Sequence, residues 1–305
     1  FSICEGAVKI DSLKDKAKEL KIKALGLCDT SNLCGAIEFS EKMSRMGTQP
    51  VIGTQINFKY NETIGLLPLF ALNESGYKKI IELSSKSYLN SDEISEPNLN
   101  FDELLNLNND GISIFSGTVL GLFGRLFDKG KFSDISNLYK NLYMRFGDRF
   151  YLEIQRHFDQ NELSFEKFNL NQSNKLKIPI IATNEVFYLS KDMHEAHDAL
   201  MCIGEKTYLN DTARIRLTNQ HYLKSSDEMI KLFNDLPEAL ENNFNLPFRC
   251  SFKPNFSKPI LPSISSSEKD SNDMLRYLSN EGLKEKFELV FDIHNINIEK
   301  NEKYL

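Results

Sequence analysis

Leu13, Ala17 and Leu20 recur at helical spacing behind Asp11 or Ser12, so the pattern predicts a helix over residues 12–20. Residues 24–28 follow as a short buried strand. A second helical pattern covers residues 33–46 and stops at Gly47, and residues 50–58 form the next extended run before the polar stretch 59–63. Further apolar runs at 66–72, 111–115, 150–154 and 178–182 are separated by helix-like segments at 76–88, 101–107, 132–145 and 162–175. Strands that alternate with helices predict a largely parallel sheet, either open or closed into a barrel.

The pattern changes near residue 250. Pro254, Pro259, Pro262 and the run Ser265, Ser266, Ser267 predict an extended connection over 251–270. Beyond it, Leu275, Leu278, Leu283, Phe287 and Val290 fall near one side of a helix over 272–289. The expected organisation is a domain over 1–250, followed over 251–305 by a connection and one helix of an incomplete further element.

Composition narrows the class. The 305 residues include 37 Lys and Arg against 43 Asp and Glu, a net charge of −6 that disfavours a free-standing nucleic-acid binder. A hydrophobic content of 41% with 22 Phe is too apolar for a disordered chain, yet no run is long enough for a membrane helix. The 5 cysteines form no CxxC pair, which argues against a disulfide framework or a Cys-rich zinc site and fits a reducing, cytoplasmic location. FSICEGAVKI has no basic region ahead of a long apolar run, so it is not a signal peptide; the chain reads as lacking its start.

Local chemistry is sparse. The five histidines, His157, His194, His197, His221 and His294, are too scattered to announce a metal centre. His194 and His197 are spaced HxxH and read as part of a polar helix face beside Asp192, Glu195 and Asp198. No GxSxG elbow is present. Gly117, Gly121 and Gly124 match neither phosphate-loop spacing and read as a plain loop, and the chain contains no DxD for two-metal phosphoryl transfer.

Longer motifs carry a resemblance. CEGAVKI at 4–10, CDTSNLCGAIEF at 28–39, PVIGTQ at 50–55, FGDRFYLEIQRH at 146–157 and IPIIATNEVFYL at 178–189 resemble, in order and spacing, the amino-terminal PHP (polymerase and histidinol phosphatase) domain of the bacterial DNA polymerase III alpha-subunit family, the replicative family C polymerases. The likeness continues through EAHDALMCIGEKTYLNDTARIRL at 195–217, HYLKSSDEMIKLFNDLPEALENNFNLPFRC at 221–250 and LSNEGLKEKF at 278–287. It implies an α/β fold, a distorted TIM-like (β/α)7 barrel, followed by the start of a polymerase palm, and in active members a metal cluster at the strand carboxyl ends.

The family's opening HxH pair would precede Phe1. At the other ligand positions the resemblance places Glu5 (acidic, retained), Thr30 (His in active members), Gln55 (Glu), Thr118, Glu185 (Asp) and Phe187 (His). Threonine, glutamine and phenylalanine are poor substitutes for imidazole and carboxylate, so no stable metal cluster is expected, and Glu5, Asp29 and Glu185 are expected to shape the barrel mouth as hydrogen-bonded residues. In this reading the intact protein is a magnesium-dependent DNA polymerase acting on primer-template DNA. The piece in hand has no catalytic residue and no bound cofactor. It is a scaffold for the palm that docks the proofreading exonuclease subunit, while the sliding clamp and clamp loader engage other regions. The alternative implied by the fold is a metal-dependent phosphoesterase, either a pyrophosphatase or a 3′–5′ exonuclease.

Overall fold

The structure is a computed structural model that describes residues 5–91, 96–108, 110–214, 216–258 and 271–294. The chain divides into two compact units, Phe1–Asn255 and Phe256–Leu305. In the first, helices and strands alternate: α1 (Ile10–Glu19), β1 (Ala24–Thr30), α2 (Ala36–Arg45), β2 (Gln49–Tyr60), β3 (Thr63–Ala71), α3 (Glu74–Leu89), β4 (Leu99–Asn100), α4 (Phe101–Leu105), β5 (Ile112–Phe115), α5 (Leu122–Asp128), α6 (Phe132–Phe146), β6 (Phe150–Ile154), α7 (Glu162–Leu176), β7 (Ile180–Ala182), α8 (His194–Glu205), α9 (Ser226–Leu232) and α10 (Pro237–Arg249). The second unit contains α11 (Ser271–His294), over the helix expected from the sequence; its Leu275, Leu278 and Leu289 are more than half exposed.

The strands form one seven-stranded sheet in the order β1-β2-β3-β5-β6-β7, with β4 beside β2. Parallel pairing joins β1 to β2, β2 to β4, β5 to β6 and β6 to β7, whereas β3 runs antiparallel to both β2 and β5. Six strands therefore point the same way, as expected, and β3 alone is reversed. The reason is local: Asn61, at φ 51, and Glu62 form a two-residue hairpin turn that pairs Tyr60 with Thr63. This is the mixed α/β sheet of a distorted barrel. Among the described residues no ladder joins β7 to β1; instead the Ala7 amide donates to the Phe187 carbonyl at 2.7 Å, tying the start of the chain to the segment after β7.

Both faces of the sheet are covered, which is why its strands read as continuous apolar runs. One face packs Ile56, Phe58, Leu67, Leu69, Ile112, Ile114, Phe150 and Leu152 against helical residues including Leu138, Tyr139 and Leu142. The other gathers Val51, Phe70, Phe115, Tyr151 and Ile181 beneath Leu246 and Cys250 at the end of α10. Gly53 belongs to this second face: a Cβ there would stand 2.5 Å from the Leu69 carbonyl oxygen and 2.6 Å from the Phe70 ring, so only glycine lets that ring lie across the strand. Gln49 fastens α10 to the sheet by donating from its side chain to the carbonyls of Pro247 at 2.7 Å and Cys250 at 2.8 Å.

The segment expected to be a plain loop around Gly117, Gly121 and Gly124 instead turns into α5 at Leu122, with Leu122, Phe123 and Leu126 buried. Its apolar residues were masked by the glycines between them. Residues 251–258 form neither helix nor strand, while the remainder of the expected connection, with Pro259, Pro262 and Ser265–Ser267, lies outside the described residues, as does Cys4. Among the described residues no helix is long and apolar enough to cross a membrane.

Candidate functional site

Because side chains alternate along a strand, the face that carries Val51 and Tyr151 also carries Gln55 on β2 and Glu153 on β6. Thr30 ends β1 directly opposite Gln55. Glu185 follows β7 and Glu5 precedes α1, and Glu5, Thr30, Gln55 and Glu185 meet beside the carboxyl end of β1. The Thr30 hydroxyl donates to the Glu5 carboxylate at 2.7 Å, and the Gln55 amide nitrogen donates to Glu185 Oε1 at 3.3 Å. The sequence reading of Glu5 and Glu185 as hydrogen-bonded mouth residues thus acquires specific partners.

These contacts decide whether the family positions suit a metal cluster. A cation needs lone pairs turned toward it, yet here a hydroxyl and an amide nitrogen turn hydrogens toward the two carboxylates. Thr118 lines a small cavity with Glu153 and Gln155, in the turn before α5, where its hydroxyl oxygen accepts from the Leu120 amide at 3.1 Å. Phe187 stacks on His197 with ring centroids 5.5 Å apart and tilts against His221 at 5.2 Å. Glu5, Thr30, Gln55, Thr118, Glu185 and Phe187 therefore do not fit the polynuclear cluster that the resemblance implies for active members.

Further acids deepen the mouth. Glu153 is buried; one carboxylate oxygen accepts from the Thr183 hydroxyl and, at 3.1 Å, from Gln155 Nε2, while Oε2 has no hydrogen-bond partner. Burial, reinforced by the charge of Glu185, pushes its pKa up to about 7. Burial likewise raises Glu185, and it raises the Cys28 thiol well above its ordinary value with help from Glu153, Asp29 and Glu185. The backbone carbonyl of Asp29 accepts from the Thr54 hydroxyl at 2.7 Å.

Beside this carboxylate region stands a histidine cluster. His157 and Asp159 follow β6, and His221 comes from a segment bridged to the chain after β7 through Tyr188 and Tyr222. The imidazoles of His157 and His221 are 1% exposed and stack with centroids 4.0 Å apart and planes at 10°. His221 Nε2 lies 2.9 Å from Asp159 Oδ2, and His157 Nε2 lies 3.1 Å from Asn184 Oδ1. Burial alone would raise the Asp159 carboxyl, but the hydrogen bond and charge of His221, with the Thr218 amide and His157, bring it below its ordinary value. Lys224 donates to the same Asn184 oxygen at 3.0 Å, and burial lowers its pKa to about 8.

The HxxH pair was expected on a polar helix face. Instead α8 buries His197 to 2% exposure, where its Nε2 lies 2.6 Å from the Glu5 carbonyl oxygen, and His194 Nε2 lies 3.0 Å from the Leu217 carbonyl. Each ring is occupied by a separate backbone oxygen, and burial lowers the His197 pKa. Among the described residues the group of ligand-type side chains able to surround an ion is His157, Asp159 and His221, whose ligand atoms lie within 4.8 Å of one another. The local sequence signal for it was the His-x-Asp pair just beyond a predicted strand; His221 had no such signal.

The PHP domain family matches residues 1–157. The chain is 35% identical over 302 residues to the DNA polymerase III subunit alpha of Caulobacter vibrioides, covering 94% of this chain and 26% of that protein. The corresponding subunits of Borreliella burgdorferi and Vibrio cholerae are 34% and 30% identical over 93% and 100% of this chain, again across 26% of theirs. The chain thus spans about a quarter of the length of the curated relatives it matches. Among solved structures, a protein from Bifidobacterium adolescentis named as a metal-dependent phosphoesterase is 12% identical, covers 59% of this chain and 82% of its own, and gives a TM-score of 0.31, too low to bear on the chemistry.

Proposed function

The chain belongs to the PHP domain family, and on that premise we propose that it is the PHP region of a bacterial replicative DNA polymerase III alpha subunit, serving there as a non-catalytic scaffold. The observation that supports this reading is the similarity to such subunits across 93% to 100% of the chain. In the intact protein, template-directed extension of a primer with magnesium belongs to a palm beyond the PHP barrel, and residues 251–305 lead toward it. The barrel supports that palm and docks the proofreading exonuclease subunit, while the sliding clamp and clamp loader bind elsewhere on the polypeptide.

The scaffold reading draws its support from the mouth. A metal-dependent phosphoesterase must hold its ion tightly enough to lower the pKa of a bound water, and the Thr30–Glu5 and Gln55–Glu185 hydrogen bonds commit the relevant carboxylates elsewhere. The test compares the purified chain with the full-length subunit. Primer extension is expected from the full-length subunit and not from the chain. Hydrolysis of pyrophosphate or DNA 3′ ends with added manganese or zinc is expected from neither mouth, wild type or Glu185→Ala. Binding of the proofreading subunit by the chain supports the docking role. Metal-dependent hydrolysis that Glu185→Ala abolishes, in the chain or in a longer polypeptide extended upstream of Phe1, overturns the scaffold reading in favour of the phosphoesterase.

A further inference from the structure

We propose that the outer face of α10, where Phe244 and Phe248 lie side by side, is a docking surface for the polypeptide that follows Leu305 in the intact subunit. The proposal rests on the reading of the chain as one region of a DNA polymerase III alpha subunit. The inner face of α10 is already committed. Ala239 and Leu246 are buried, and the side-chain amides of Asn242 and Asn243 donate to the Ile180 and Ala182 carbonyls of β7, each at 2.8 Å. These bonds fix which way the helix faces, so Phe244 and Phe248 cannot turn inward without breaking them.

Phe244 and Phe248 are 68% and 74% exposed, and their ring centroids lie 5.4 Å apart with planes at 64°. Four positions apart on a helix, they present a single apolar patch. A solitary exposed phenylalanine is ordinary, but two rings in contact have the composition of an interface core. Glu238 and Glu241, also exposed, continue the same side of the helix toward its start. The occupant that matches this surface has an apolar stripe bordered by lysine or arginine.

The way the chain leaves α10 identifies that occupant. Arg249 Nη1 donates to the Asp148 carbonyl at 2.8 Å and to the Tyr151 hydroxyl at 2.7 Å, and the Ser251 amide donates to the Leu72 carbonyl at 2.8 Å. The Phe252 ring lies 4.9 Å from that of Tyr77, and Lys253 Nζ lies 3.6 Å from Glu41. With the Gln49 bonds to Pro247 and Cys250, these contacts pin the backbone over 247–253. Everything downstream therefore departs from a fixed point beside the phenylalanine pair. Tethering makes docking by that polypeptide intramolecular, at an effective concentration that a free partner does not reach. There is ample polypeptide to dock, because this chain covers 26% of the Caulobacter vibrioides subunit it matches.

The test compares the chain with the full-length subunit by amide hydrogen exchange, with primer extension measured on the same full-length preparation. Amides over 241–248 are expected to exchange about tenfold or more slowly in the full-length subunit than in the chain. Phe244→Gln combined with Phe248→Gln should remove that difference, and Glu238→Lys combined with Glu241→Lys should reduce it. The phenylalanine variant should shift the melting temperature of the chain by no more than about 2 °C, because both rings are already exposed. Slow exchange that the phenylalanine variant leaves untouched overturns the proposal. So does equal exchange in the two polypeptides when the full-length subunit extends primers, a result that leaves the polymerase reading intact. Slow exchange in a full-length protein that does not extend primers supports the docking contact while the polymerase reading fails. Slowing that appears in the chain alone as its concentration rises identifies a second copy as the occupant, and slowing that needs added proofreading subunit identifies that protein; either overturns the proposal.

Discussion

The two halves of the barrel mouth differ in how their polar groups are paired. On the carboxylate half, Glu5 and Glu185 each accept from a neutral donor, Thr30 and Gln55, at positions where the family resemblance expects metal ligands. On the histidine half, His157 Nε2 and His221 Nε2 face Asn184 and Asp159, and His157 Nδ1 lies 3.5 Å from Glu162 Oε1. The comparison teaches that the balance of donors and acceptors, more than the number of acids, decides where a cation can settle. A pocket rich in carboxylates can be closed to metals by two hydrogen bonds.

The largest expected effect comes from Glu153, beneath the carboxylate half. Its pKa rises from 4.5 to about 7 because burial penalises the charged form, so the folded chain holds a proton that the unfolded chain releases between those values. Its contribution to stability is therefore greatest below pH 4.5, falls as pH rises through 7 and is flat above it, a loss of about 3 kcal/mol. Urea unfolding of wild type and Glu153→Gln between pH 4.5 and 8 checks this: the variant should lose that part of the slope. Equal slopes would mean that the carboxylate half is better solvated than the structure indicates.

Next in size is His197→Ala, which removes the ring stacked on Phe187 and the bond to the Glu5 carbonyl, at a cost of about 2 kcal/mol in chemical denaturation. A loss below half that would mean the rings contribute little to holding the two halves together. The third prediction reverses the substitutions: Thr30→His, Gln55→Glu and Phe187→His combined should raise zinc affinity on the carboxylate half by about tenfold, about 1.4 kcal/mol, while each single change does little because the other donors are still missing. A single change that matches the triple would break the argument from donor balance. The smallest effect is Thr30→Val, which leaves the partly buried Glu5 carboxylate short of one donor and should cost about 1 kcal/mol in the same denaturation assay.

Much of the first unit was legible because its strands are covered on both faces and so appear as uninterrupted apolar runs. Strands β1, β2, β5, β6 and β7 and helices α1, α2, α3, α6 and α7 fall within a few residues of the expected segments. The direction of β3 was not legible: an apolar run identifies a strand but not its sense, and the deciding feature is the backbone conformation at Asn61. The two-residue β4 is too short to have a period, and the glycines around α5 concealed its apolar side. At the mouth, motif comparison brought Glu5, Thr30, Gln55 and Glu185 together, but a one-dimensional pattern could not reveal that they pair with one another. His157 and His221 read as scattered in the sequence because their proximity arises from strand order and from the bridge between Tyr188 and Tyr222.

The most direct test of the account is whether a metal settles between Glu5 and Glu185. Crystals of the chain soaked in zinc and measured on both sides of the zinc absorption edge should show no anomalous peak between Glu5 and Glu185. Two or three bridged peaks touching Glu5 and Glu185, with the histidine stack intact, would contradict it.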